Sequence, residues 1–217
     1  VRQMGVDNGL TQFLSNGDVS DLIFVEGSLA KSKVEIFFDY IKVGFEHIIP
    51  KGWDHIVFVL GLFFFSNKLR PLIWQISAFT FAHTVTLALG SLGYVKIVPE
   101  IVEPLIALSI VFIAVENIFI RNLNKWRPLV IFVFGLLHGL GFASVLGEFG
   151  LPSGFFTPAL LGFNVGVEFG QLTVVLLAFI FIGYWFNSKN YYSSSIAKPI
   201  SAIIGLVGAY WFIERII

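Results

Sequence analysis

The chain has 217 residues, of which 56% are hydrophobic and 13% charged, with a formal net charge of zero and a mean hydropathy of +0.84. A soluble domain carries about 25% charged residues, so the composition excludes an ordinary soluble fold, and the balanced charge gives no basis for a nucleic-acid partner. There is no cysteine, which removes disulfides, thiol nucleophiles and thiolate metal sites and leaves histidine, carboxylate and amide groups to hold any metal.

Residues 1–32 are mixed and polar, with Asp7, Asn8, Asn16, Asp18, Asp21 and Glu26. They are expected to form an outer N-terminal segment. The chain opens on Val1, which reads as a processed or artificially defined start. Over residues 33–48, Glu35, Asp39, Lys42 and Glu46 recur at steps of four and three, while Val34, Ile36, Phe37, Tyr40, Ile41, Phe45 and Ile48 fill the other side. That pattern predicts an amphipathic helix that lies at a membrane surface or leans on a bundle. Pro50 and Gly52 end it.

Six apolar runs follow, at 53–66, 71–93, 101–120, 128–147, 160–186 and 199–213. Most approach the twenty residues needed to cross roughly 30 Å of hydrocarbon; the first is short for a crossing. Pro71, Pro128 and Pro199 stand at helix starts, where a missing N–H costs nothing. Pro152, Gly154 and Pro158 make 152–163 a plain connection or a re-entrant stretch. The expected fold is an all-α membrane protein, a six-helix transmembrane domain over 49–217 preceded by the interfacial helix 33–48.

The loops after the first, third and fifth runs hold seven basic residues (Lys68, Arg70, Arg121, Lys125, Arg127, Lys189 and Lys198), and those after the second and fourth hold one, Lys96. Cytoplasmic loops are the basic ones, so both termini are expected on the outer side. With that orientation His47, Asp54 and His55, His83, His138 and Glu168 reach the middle or outer half of the bundle from separate segments. Ionisable groups at membrane depth are costly and concentrate at functional sites, and bundles assemble metal sites from facing helices.

These residues have polar company. Thr80 and Thr84 flank His83, and Asn164, Glu168 and Gln171 recur at i, i+4 and i+7 along one helix face. Gly162, Gly166 and Gly170 form a small-residue ridge, and Gly135, Gly139 and Gly141 surround His138. Each feature also has a plain reading. A lone intramembrane His or Glu is often an interhelical hydrogen-bonding residue, and glycine ridges are mostly packing. Glu116 lies low in its run and reads as a structural partner for Arg121 or Arg127, while Glu103 and Glu148 read as solvated loop-edge carboxylates.

Four segments carry a resemblance. They are His47-Ile-Ile-Pro-Lys-Gly-Trp-Asp54-His55, Phe79-Thr-Phe-Ala-His83-Thr-Val-Thr-Leu87, Phe134-Gly-Leu-Leu-His138-Gly-Leu-Gly-Phe-Ala143 and Phe163-Asn-Val-Gly-Val-Glu168-Phe-Gly-Gln171. Over about residues 40–185 the chain resembles the HupE/UreJ family of hydrogenase and urease accessory membrane proteins. The resemblance implies a bacterial inner-membrane nickel or cobalt permease, with His47, Asp54, His55, His83, His138 and Glu168 as the metal-handling positions. In the short form of the first motif Pro directly follows His; here two residues intervene.

Imidazole and carboxylate ligands suit nickel, cobalt or zinc, which favours a divalent-cation permease. Three histidines with an acid also match a catalytic zinc site, with Glu168 or Asp54 as general base in an intramembrane hydrolase of a lipid or peptide. A metal-sensing or accessory module is the third alternative. The metal ion and the lipid bilayer are the expected partners; the oligomeric state is left open.

Overall fold

A computed structural model of the chain describes residues 32–65, 68–120, 125–149 and 155–217. The expected outer segment 1–32 therefore lies almost wholly outside the described residues, as do Pro152 and Gly154, whereas the rest of the 152–163 stretch, from Phe156 onward, is the start of a helix. Among those described, all regular structure is helical. The elements are α1 (Lys33–Ile48), α2 (Trp53–Phe65), α3 (Leu69–Ser91), α4 (Pro99–Phe119), α5 (Arg127–Phe149) and α6 (Phe156–Ala178). A π turn carries α6 into the short α7 (Tyr184–Phe186), and a second π turn leads into α8 (Lys198–Glu214).

Local chemistry sets several boundaries. Ser32 accepts from the Glu35 N–H at 3.2 Å while the Glu35 carboxylate accepts from the Ser32 N–H at 2.7 Å, a reciprocal cap that starts α1. Pro99 opens α4, and Pro199 falls in the first turn of α8, where neither ring removes an internal hydrogen bond.

Three helix pairs make up most of the bundle, and glycine brings each together. Along α1 and α6 the chain at Phe37 lies over Gly162, at Ile41 over Gly166 and at Ile48 over Gly170, so the two helices run parallel. A Cβ on Gly166 would overlap the Ile41 carbonyl oxygen, and one on Gly44 the Phe163 carbonyl oxygen. Such backbone contact is open only to glycine. Phe79 over Gly135 and His83 over Gly139 make α3 and α5 parallel too, whereas Ala114 on Gly205 and Ile110 on Gly208 make α4 and α8 antiparallel.

Crossing ability follows from length. Among the described residues four helices are long and apolar enough to cross a membrane: Leu69–Ser91, Pro99–Phe119, Phe156–Phe186 and Ser193–Glu214. With 13 residues α2 is about 20 Å long, too short to cross alone. It qualifies only together with α1, from which it is bent by 74°. The described residues thus give four spans, or five with the bent pair counted as one, beside the six expected, and α1 is docked on the bundle rather than standing apart from it. The physical reason is the Gly44–Gly162–Gly166 contact, which binds α1 along α6 through its buried Ile36, Tyr40 and Ile48 face. Large apolar side chains such as Trp74, Phe81, Phe112, Phe181 and Leu206 are exposed on the outside, a surface suited to lipid rather than water.

The two ends of the bundle differ in chemistry. Arg127 at the start of α5 meets Glu116 near the end of α4, with Nη1 and Oε2 2.9 Å apart and both side chains buried. Its Nε donates to Gln75 of α3 at 3.0 Å, and its guanidinium lies 3.6 Å over the Phe65 ring at the end of α2. Close by along α4, Asn117 donates to the Gly61 carbonyl at 2.8 Å and to Ser201 at 3.0 Å. Glu116 thus partners Arg127, one of the two arginines expected. At the opposite end, α2 and α4 begin and α8 finishes. The histidines lie toward that end.

Candidate metal centre

His47 sits in the last turn of α1 and His55 in the first turn of α2, so the 74° bend folds both imidazoles inward. The His83 ring comes from α3 and is fully buried; His138 comes from α5 and is 1% exposed. His55 is the hub. Its ring centroid lies 5.0 Å from that of His47, 5.8 Å from His83 and 4.9 Å from His138.

One ring nitrogen each of His47, His55 and His83 lies within 4.8 Å of the others, the one such cluster of potential ligands among the described residues. Three evenly spaced nitrogens on one ion at about 2.1 Å are at most about 3.6 Å apart. The cluster is therefore nearly preformed, needing side-chain shifts of a fraction of an ångström to close.

Hydrogen bonds aim the free nitrogens. Asn164 donates from Nδ2 to the Leu160 carbonyl at 2.8 Å, which turns its Oδ1 toward His83 Nδ1 at 3.3 Å. An amide oxygen can only accept, so Nδ1 carries the proton and Nε2 the lone pair. The same logic holds for His138, whose Nδ1 donates to the Phe134 carbonyl at 2.8 Å. Nε2 of all four histidines is buried without a hydrogen-bond partner among the described residues. Four unpartnered Nε2 atoms in one buried group, those of His83 and His138 carrying lone pairs, cost free energy unless a ligand takes them.

Phenylalanine walls the group. Phe142 lies 4.1 Å from His47, Phe163 stacks at 6.3 Å from His83, and Phe79 and Phe58 lie 4.8 and 5.2 Å from His138. Phe58 and Phe79, with Leu62 and Ile76, close the side facing the Arg127 end. On the other side a cavity of about 430 Å³ has His47, His55 and His138 in its lining, with Lys51, Trp53, Asp54, Glu103, Trp211 and Arg215 around it.

The two expected acids are not in the histidine cluster. Both Asp54 oxygens accept from Arg215 Nη2 at 3.0 Å. Glu168 accepts from Ser77 of α3 at 2.6 Å and is only partly buried. The Asn164, Glu168 and Gln171 stripe does face α3, but each member meets a different residue there, and only Asn164 reaches a histidine. Gln171 accepts from Thr80 at 3.0 Å, while Thr84 bonds its own helix through the Thr80 carbonyl. Glu103 lies inside α4 and lines the cavity instead of standing in a loop. The Glu148 side chain lies outside the described residues.

Sequence reasoning missed Arg215, Ser77 and the phenylalanine wall. Arg215 had a signal: a basic residue on the side expected to be poor in them implies an acidic partner. The phenylalanines gave none, being scattered among twenty-five. A family model described as HupE / UreJ protein matches residues 25–215. No curated protein and no solved structure matches the chain.

Proposed function

The chain belongs to the HupE/UreJ family, and on that premise we propose that it is a membrane permease for a divalent transition-metal cation, nickel or cobalt and by ligand chemistry also zinc. The observation that carries this reading is the bare Nε2 group of His47, His55, His83 and His138 beside an open cavity. An all-imidazole set selects borderline metals over magnesium or calcium, which want oxygen. Nitrogens as much as 4.8 Å apart suit moderate affinity, and a permease must release what it binds.

Asp54 acts ahead of the histidines, at the cavity, and Glu168 stands beside the α3–α6 seam with Thr80 and Gln171, outside the first ligand set. The cation moves from the cavity side, the outer face by the distribution of basic loops, toward the cytoplasm, with both termini outside. Phe58 and Phe79 form the inward barrier that transport must open. The hydrolase alternative needs a carboxylate poised over a metal-bound water. Asp54 faces Arg215 and Glu168 faces Ser77, and both contacts argue against it.

Purified chain in liposomes loaded with a metal-responsive dye should admit nickel(II) or cobalt(II) chloride in a saturable way. The His83→Ala variant should not. Binding by wild type without flux would favour the accessory reading.

A further inference from the structure

Arg215 caps the C-terminal end of α8, beyond its last turn, yet its side chain reaches across the cavity to two other helices. Its Nη2 meets both oxygens of Asp54 on α2 at 3.0 Å, and its Nη1 donates to the Glu103 carbonyl on α4 at 3.1 Å. Both charged side chains keep contact with the outside, at 20% and 27% exposure. Asp54 directly precedes His55, the hub of the histidine group, so whatever neutralises Asp54 stands at the threshold of that group.

We propose that Arg215 is a resident counter-cation that gates the site: an arriving metal ion takes Asp54 from the guanidinium before passing to the histidines. The inference rests on the metal-handling reading of the histidines and adds a specificity-determining residue to it. A guanidinium cannot enter an imidazole cage and cannot lose its proton, so it holds the carboxylate without competing for the inner ligands. It also repels any cation that fails to offset the exchange. A divalent ion brings twice its charge to the carboxylate, whereas a monovalent ion brings only an equal charge and a looser hydration shell. The gate thus discriminates by charge before the histidines discriminate by softness.

A residue that merely straps α8 to α4 would predict slower or weaker binding on its removal. A gate predicts the reverse. Trp53 and Trp211 line the same cavity, so quenching of their fluorescence by nickel(II) chloride reports arrival in stopped flow, with the full chain in nanodiscs. Arg215→Met should raise the association rate constant about tenfold at low ionic strength and steepen its fall with salt. Arg215→Gln, which keeps hydrogen-bonding capacity without the charge, should do the same and guards against a folding defect in the first variant. Asp54→Asn should slow association, and Arg215→Met added to it should give a much smaller gain than in the wild-type background, only what relief of the guanidinium's repulsion supplies.

Unchanged or slower association in both Arg215 variants overturns the gate, as does an acceleration of the same size in the Asp54→Asn background. His55→Ala separates the two levels. Loss of binding there, with unaltered kinetics in the Arg215 variants, leaves the histidine site standing without its gate. Undiminished binding there removes the histidine site itself.

Discussion

His55→Ala is expected to weaken nickel or cobalt binding by more than about a hundredfold while leaving the apo protein about as stable as wild type. His55 lies within 6 Å, ring to ring, of the other three histidines. Its removal takes away a direct ligand and the residue that links His138 to the rest. Loss of an outer-sphere partner of a metal ligand costs ten- to hundredfold in affinity, and a direct ligand should cost more. Stability should behave differently, because Nε2 of His55 is buried with no hydrogen bond to lose. A ligand at a hundred times its Kd stabilises the folded state by about 2.7 kcal/mol. The metal-induced rise in melting temperature of the wild type should therefore vanish in the variant, while the metal-free melting temperature stays close to wild type. Calorimetry and thermal melts on the same preparation read both quantities. Retained affinity would show that the metal binds elsewhere and that His55 is not a ligand.

The second large effect concerns stability at the other end. Glu116→Ala is expected to destabilise the fold by about 3–5 kcal/mol, because it leaves the Arg127 guanidinium buried and uncompensated. The contact with Phe65 and the bond to Gln75 remain but cannot balance a full charge in a dry site. Replacing both partners, Glu116→Gln with Arg127→Met, should restore most of the loss. Unfolding in bicelles with increasing denaturing detergent measures all three proteins. A cost below about 1 kcal/mol for Glu116→Ala would mean that water or lipid headgroups reach the pair.

Much of this architecture was legible because bilayer physics writes in large letters. Apolar runs gave every major helix to within a few residues, and prolines marked the starts of α3, α5 and α8. The four histidines stood out because an imidazole in an apolar run is costly and therefore conspicuous. Glu116 at the low end of its run implies a partner in Arg121 or Arg127, and it meets Arg127.

What stayed illegible depended on where helices point relative to one another. The sequence around Asp54 and His55 reads as a continuous ligand motif, yet the two residues turn to different neighbours, Arg215 and the other imidazoles. Arg215 is 161 positions away from Asp54, and no periodicity connects them. Glu168 lies one turn after Asn164, but that turn carries its carboxylate past His83 to Ser77. The amphipathic pattern of 33–48 was correct as a helix and uninformative about placement. The glycines of α6, read as plain packing, are what draw α1 against the bundle and bring His47 to the site. Surface amphipathicity and lateral docking share one pattern, since both need one apolar face.

The central claim is that His47, His55 and His83, backed by His138, take one metal ion. Anomalous scattering at the nickel or cobalt edge, from crystals of the full chain grown with the metal, tests it most directly. A single peak about 2.1 Å from the Nε2 atoms of at least three of these histidines is the predicted result. A peak held by Glu168 and Ser77, or no ordered peak among the histidines at saturating metal, would contradict it.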